Sequence, residues 1–273
     1  MNLERLIDKY MKHGYDYEDA ISKVCQDIIL LKISKSRYKK NITIKGGVVI
    51  HNISSDLRRA TRDMDLDFIK YSLEDESIEK FISELNSVDD GIILKIVGKI
   101  KELHHQDYKG KKVYIMLTDK HSNEIETKID FGVHKYFDIE QDEYYFDLKL
   151  INDGANLLIN SKEQIFTEKL KSLLKIGITS TRYKDILDFY YLINYQKIDK
   201  DKMLKYFDIL IFQDKSLNIN NLDDILERIK IILNDKNFKD NLSDVKVNWL
   251  NINSDDVISN VLNYINNLRL IAV

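Results

Sequence analysis

Proline is missing from all 273 residues, and alongside the many Ile, Lys, Asn and Tyr residues its absence reads as compositional bias that carries no mechanism. The only cysteine, Cys25, excludes an internal disulfide. It lies in the apolar pattern Ile21, Val24, Cys25, Ile28 and is expected to be a buried thiol in a reducing cytoplasm. No run of about 18 apolar residues occurs. The amino terminus, Met1-Asn2-Leu3-Glu4-Arg5, carries charges with no apolar stretch behind them. Neither a membrane span nor a secretory signal is therefore expected. The six histidines show no metal-ligand spacing, and His104 and His105, adjacent on a strand, would face opposite ways. A net charge of −3 excludes an overall electrostatic grip on nucleic acid. Local clusters remain: Lys109, Lys111, Lys112, Lys120 and Lys128, and then Lys169, Lys171, Lys175, Arg182 and Lys184, each with a solvated face as its ordinary reading.

What is present is an unusual acidic stretch, Arg59-Ala60-Thr61-Arg62-Asp63-Met64-Asp65-Leu66-Asp67. Read as a strand over Thr61 to Ile69, it places Thr61, Asp63, Asp65 and Asp67 on one face and Met64, Leu66 and Phe68 on the other. Carboxylates crowded on one face repel each other unless a cation compensates them, so Asp63 and Asp65 are candidate ligands for one or two magnesium ions, Mg2+ or Mn2+. Asp67 shares the face but reads as the most ordinary of the three. Just upstream, Lys45-Gly46-Gly47 ends a short β-rich run, Asn41 to Lys45, and opens a helix. A helix start of this kind aims backbone amides and a helix dipole at a phosphate. An ordinary glycine turn and a solvated strand face are the competing readings.

The rest of the pattern implies an α+β chain: a mixed-sheet domain over residues 1–158, then a helical domain over 159–273. Helical spacing covers residues 17–34. Ser72 with Asp75 resembles a capping box before Ile78, Phe81, Ile82 and Leu85. Three β-rich runs follow, Ile92 to Leu103, Lys112 to Thr118 and Glu124 to Val133, and Asn152-Asp153-Gly154 reads as a turn near the boundary. Ser161 with Gln164 opens a helix to about Ile176, followed by helical candidates at Tyr183–Tyr195, Lys200–Ile211, Asn221–Asn234 and Asp255–Leu270.

Three further residues stand out. Asp130 shares a strand face with Glu126 and Lys128, and pairing beside the acidic strand would make it a third metal ligand or a general base. Projected at about 100° per residue, Lys169 falls inside the apolar arc of Ile165, Phe166, Leu170, Leu173 and Leu174, whereas Lys171 and Lys175 fall on the solvated side. An inward lysine needs an anionic partner, a phosphate or a carboxylate, unless it snorkels. Asp185 projects between Phe189 and Leu192 and would orient Lys169 or Arg182, contact a phosphate-bearing nucleotide, or form a purely structural ion pair.

In order and spacing, Lys45-Gly46-Gly47, Arg59-x-Thr61-x-Asp63-x-Asp65-Leu66, Ile129-Asp130, Glu163, Lys169-Leu170 and Ser180-x-Arg182-x-Lys184-Asp185-x-x-Asp188 resemble the AbiEii/AbiGii toxin family of nucleotidyltransferases, which includes the MenT toxins, within the DNA polymerase β-like superfamily. The resemblance implies a polymerase β-like nucleotidyltransferase domain followed by a helical domain, with the nucleotide between them. It further implies that Asp63 and Asp65 hold magnesium, beside which Asp130 would be a third metal ligand or the base. Lys45, Gly46, Gly47, Arg59, Thr61, Arg182 and Lys184 would serve the nucleoside triphosphate (NTP), Lys169 its phosphates, and Asp185 the activity. Where the family motif reads Gly-Gly-Thr-Ala-Leu, this chain has Gly46-Gly47-Val48-Val49-Ile50, one hydroxyl fewer near the phosphates. The implied role is that of a cytoplasmic toxin of a toxin–antitoxin, abortive-infection type system. It would transfer a nucleoside monophosphate from an NTP to the 3′ end of tRNA and be controlled by a cognate antitoxin. A protein or small-molecule acceptor, or a non-catalytic nucleotide-binding module, are the alternatives. Beyond about residue 200 no motif is matched.

Overall fold

The computed structural model of the chain describes residues 1–103 and 110–269, so His104, His105 and Lys109 lie outside the described residues. The chain divides into two units, Met1–Asn160 and Ser161–Val273.

The first unit is built on a seven-stranded mixed sheet. Helices α1 (Leu3–Lys12) and α2 (Tyr17–Lys35) precede β1 (Ile42–Ile44), α3 (Gly46–Ser54), β2 (Met64–Phe68) and α4 (Asp75–Leu85). Strands β3 (Ile92–Leu103), β4 (Gly110–Asp119), β5 (Glu124–Val133), β6 (Asp142–Leu148) and β7 (Asp153–Ile159) complete it, in the spatial order β3-β4-β5-β2-β1-β7-β6. The β1–β7 and β2–β5 pairs are parallel and the others antiparallel. Alternation puts Met64, Leu66, Phe68, Val113, Ile115, Leu117, Ile129 and Phe131 on a buried face. There Phe81 of α4 meets the rings of Phe68 and Phe131 edge-on. Burying each such side chain stabilises the fold by about 1.5–3 kcal/mol, so this layer fixes the register of the opposite face, where the acids lie.

The second unit is helical: α5 (Lys162–Ile176), α6 (Tyr183–Tyr195), α7 (Lys200–Phe207), α8 (Leu222–Asn234), α9 (Lys236–Leu242) and α10 (Ser254–Arg269). Its core gathers Phe166, Phe189 and Phe207, with Trp249 packed against Tyr191. Ser161 caps α5, accepting from the Gln164 amide at 3.2 Å. Among the described residues no helix is long and apolar enough to cross a membrane. Cys25 is fully buried, and burial pushes its thiol pKa up.

Several sequence expectations need correction. The acidic strand spans Met64–Phe68 rather than Thr61–Ile69, because ladder pairing with β5 begins at Met64↔Ile129 and the chain bends through Thr61–Asp63. Glu74, not Ser72, occupies the cap position of α4, while the Ser72 hydroxyl accepts from the Glu74 amide. The helix expected to reach Ile211 ends at Phe207 and widens into one broader turn, in which the Gln213 amide donates to the Asp208 carbonyl. Leu270, the expected end of the last helix, lies outside the described residues. Helices α1 and α9 and strands β6 and β7 were not anticipated. The Asn152 turn, with Asn152 at φ +55°, joins β6 to β7.

Candidate active site

The site grows from the end of β1. Lys45 is extended (φ −121°, ψ 170°), and Gly46 turns the chain at φ +56° into α3. A Cβ on Gly46 would lie 3.2 Å from Asp65 Oδ2, and one on Gly47 would lie 2.8 Å from Thr61 Oγ1. The glycine pair is therefore demanded twice, by a left-handed backbone and by close approach of the acidic segment. The amino end of α3 thus lies against Asp65 and Thr61, and the first amides of a helix have no partner within the helix itself.

Pairing brings Asp65 directly opposite Asp130 on adjoining parallel strands. Burial raises the Asp65 pKa to about 6; Lys45 pulls it down, and Asp130, Asp63 and Asp67 push it up. The same burial raises Asp130, with Lys112 and Lys128 opposing and Asp63 adding to the rise. Asp130 Oδ1 is buried without a hydrogen-bond partner, while its Oδ2 lies 3.6 Å from Lys112 Nζ. The neighbouring acids also carry lysines: Lys128 Nζ is 2.7 Å from Asp63 Oδ1, and Lys45 Nζ is 2.9 Å from Asp67 Oδ2. Among the described residues no three His, Cys, Asp or Glu side chains form a ready-made metal cage. Three lysines instead stand around four carboxylates.

Asp63 differs from its expected placement. It precedes β2, and its side chain is 60% exposed. Thr61 packs its hydroxyl against Gly47, and its carbonyl accepts from Gln26 Nε2 at 2.8 Å. Arg59 is buried at the end of a short turn, where its charge helps hold the His51 pKa down at about 4, after burial and Lys23. Gln26, buried on α2, is a site neighbour that the sequence reading missed. A glutamine amid buried apolar residues is the signal that would have found it.

The other residues singled out in the sequence belong to the second unit. Lys169 turns inward as expected: its Nζ ion-pairs with Asp185 and lies 3.1 Å from Asp188 Oδ2. Arg182 Nη1 is 3.3 Å from the other Asp185 oxygen, and Lys184, next in sequence to Asp185, is half-buried. Glu163 is buried and accepts from the Asp199 amide at 2.9 Å at the start of α7. Lys171 corrects the helical projection. It is buried and pairs with Asp214 at 2.8 Å, because its long stem reaches a loop distant in sequence, while Lys175 alone is exposed. The first lysine cluster also divides, since Lys111 pairs with Asp75 and Glu102 across the sheet from Lys112 and Lys128.

The chain is similar to a solved structure, an antigenic nucleotidyltransferase-like protein from Paracoccidioides brasiliensis, at 16% identity, with 76% of this chain and 92% of that one covered and a TM-score of 0.42. A search of curated proteins finds no match. Residues 28–249 match the family described as "Nucleotidyl transferase AbiEii toxin, Type IV TA system", a span that includes both the glycine–acid site of the sheet and the Lys169 cluster. The chain belongs to the AbiEii nucleotidyltransferase toxin family of type IV toxin–antitoxin systems.

Proposed function

We propose that this nucleotidyltransferase transfers a nucleoside monophosphate from an NTP to the 3′-terminal hydroxyl of an RNA, a tRNA in particular, and that a cognate antitoxin opposes the resulting arrest of growth. The observation that carries the reading is Asp65, which lies against the glycine-built amino end of α3 and pairs across the sheet with Asp130. Those two carboxylates, joined by Asp63 once it leaves Lys128, would hold one or two divalent cations, Mg2+ or Mn2+: the Asp65 pKa is raised by burial and its acidic neighbours, and Asp130 offers a buried oxygen with no partner. Bound metal would supply charge neutralisation and polarise the phosphates.

The chain's own groups do the rest. The Gly46 and Gly47 amides and the α3 dipole receive phosphate oxygens. In its alternative role to metal ligand, Asp130 is the base that would take the proton from the acceptor hydroxyl. The acceptor oxygen then bonds to the α-phosphorus, the bond to the β-phosphate oxygen breaks, and pyrophosphate leaves. Lys169, held between Asp185 and Asp188, is assigned to nucleotide phosphates, with Arg182 and Lys184 supporting it.

The test is where the label goes. Purified protein with α-labelled NTP, total tRNA and cell protein should place label on tRNA. Label on protein or on a small molecule would replace the acceptor, and nucleotide binding with no transfer would reduce the chain to a binding module.

A further inference from the structure

The face of the sheet that carries Asp65 and Asp130 continues past them onto β4 and β3. Register sets rows of side chains across it. Asp65, Asp130, Lys112 and Lys101 form one row, and Lys128, Tyr114 and Val97 form the next. Beyond them stand Glu126, Met116 and Lys95, then Glu124, Thr118 and Ile93. The opposite face of these strands is the buried one, with Val113, Ile115, Leu117, Ile92 and Leu94. On the acid-bearing face the side chains are half-buried or exposed: Lys95 and Lys101 stand in solvent, and Ile93 is 56% exposed. The Lys101 ammonium sits over the Tyr114 ring, 5.1 Å from its centroid. A chain of net charge −3 thus concentrates Lys95, Lys101, Lys112 and Lys128 on one sheet face, interleaved with Tyr114, Met116 and Val97, and this tract ends at the acidic pair.

We infer that the open face of β3–β5 is the docking surface for the single-stranded 3′ end of the acceptor polynucleotide, an inference that rests on the nucleotidyl-transfer reading above. Lysines alternating with an aromatic and apolar side chains suit a strand that presents phosphates and base faces in turn. With strands about 4.8 Å apart, β4 and β3 lie roughly 5 and 10 Å from the Asp130 strand. That is the reach of the last few nucleotides when the terminal hydroxyl meets Asp130. The charge order agrees: positive side chains flank the approach, and negative ones stand where a bound cation would compensate them. Glu124 and Glu126 mark the far acidic limit of the tract, so the strand is guided across β4 and β3 rather than along β5.

The experiment uses the full chain and a fluorescein-labelled single-stranded RNA oligonucleotide, with binding followed by anisotropy between 0.05 and 0.2 M salt. Lys95→Glu with Lys101→Glu should raise Kd about tenfold or more. The Lys95→Gln, Lys101→Gln pair, which only removes charge, should lower the slope of log K against log salt by about 1.4, at roughly 0.7 per phosphate contact. Binding of a fluorescent NTP should not change in either pair. Lys80→Glu, on exposed α4 surface, should leave both affinities as they are. RNA affinity equal to wild type in both lysine pairs overturns the inference, as does a wild-type chain that retains a polyglutamate peptide in preference to RNA, which would make the face a site for an acidic protein. If wild type labels RNA and the lysine pairs bind it unchanged, the surface is wrong and the activity stands. If wild type labels no RNA yet the lysine effect persists, the activity is wrong and the surface stands.

Discussion

Replacing Lys45 by Met probes whether this lysine belongs first to the scaffold of the site. Its Nζ lies 2.9 Å from Asp67 Oδ2, with the two side chains 15% and 5% exposed. Removing one partner of a buried pair costs about 3–5 kcal/mol, chiefly because the other charge is left uncompensated. Partial exposure of the lysine puts the expected loss at the low end, about 3 kcal/mol. At roughly 2–4 °C per kcal/mol for a chain of this size, melting should fall by about 6–12 °C. Asp67→Asn in the same chain removes the stranded charge and should return about 2 kcal/mol, a coupling that a double-mutant cycle reads directly by urea denaturation. Losses from the two single changes that simply add, or a Lys45→Met loss below about 1 kcal/mol, would refute the reasoning and leave Lys45 free to serve nucleotide alone.

Other predictions follow from individual contacts. Gly47→Ala drives a methyl to 2.8 Å from Thr61 Oγ1 and should cost about 1–3 kcal/mol with weakened NTP binding; Thr61→Ala in the same chain should recover part of the stability, and no recovery would mean the clash lies elsewhere. Lys32 is fully buried and pairs with Asp90 at 2.9 Å, so Lys32→Met should destabilise by about 3 kcal/mol in denaturant melts without changing NTP affinity. Burial raises the Asp119 pKa, but hydrogen bonds from the Leu3 amide, the Asn123 side chain and amide, and the His121 amide outweigh it and hold the value at about 2. A carboxylate depressed in the folded state stabilises fully above its unfolded pKa and loses that contribution as pH falls toward 2. Asp119→Asn should therefore lower stability at pH 7 and flatten its decline between about pH 4 and pH 2, which thermal melts across that range would show.

Strong periodicity made much of the fold legible. Strands β3 and β5 and helix α6 have the bounds that alternation and helical spacing indicate, and Lys169 faces its carboxylates as its place inside an apolar arc requires. Pairing was not legible. Nothing local in Glu124–Val133 says that Asp130 will face Asp65, and the strand order that achieves it depends on a parallel crossover. The limits of β2 failed for the same reason, since alternation alone extends the strand to Thr61 while the ladder starts at Met64. Lys171 was misplaced because its partner, Asp214, is supplied by a distant loop. Helix α1, by contrast, was readable: Leu3, Leu6, Ile7 and Tyr10 keep helical spacing behind an Asn2 cap. Tyr144, Phe146 and Leu148 carry a weaker strand signal, because the Asn152 turn that bends their hairpin looks, in sequence, the same as a turn at a domain boundary.

The most direct test of the central claim compares NTPs labelled at the α- and γ-phosphates, incubated with the wild-type chain, Mg2+ or Mn2+ and RNA, beside an Asp65→Asn chain of equal folded stability. Nucleotidyl transfer predicts that α-label enters RNA, that γ-label leaves only as pyrophosphate, and that Asp65→Asn abolishes both. Label entering the acceptor from the γ-phosphate, or undiminished α-label transfer by Asp65→Asn, would contradict it.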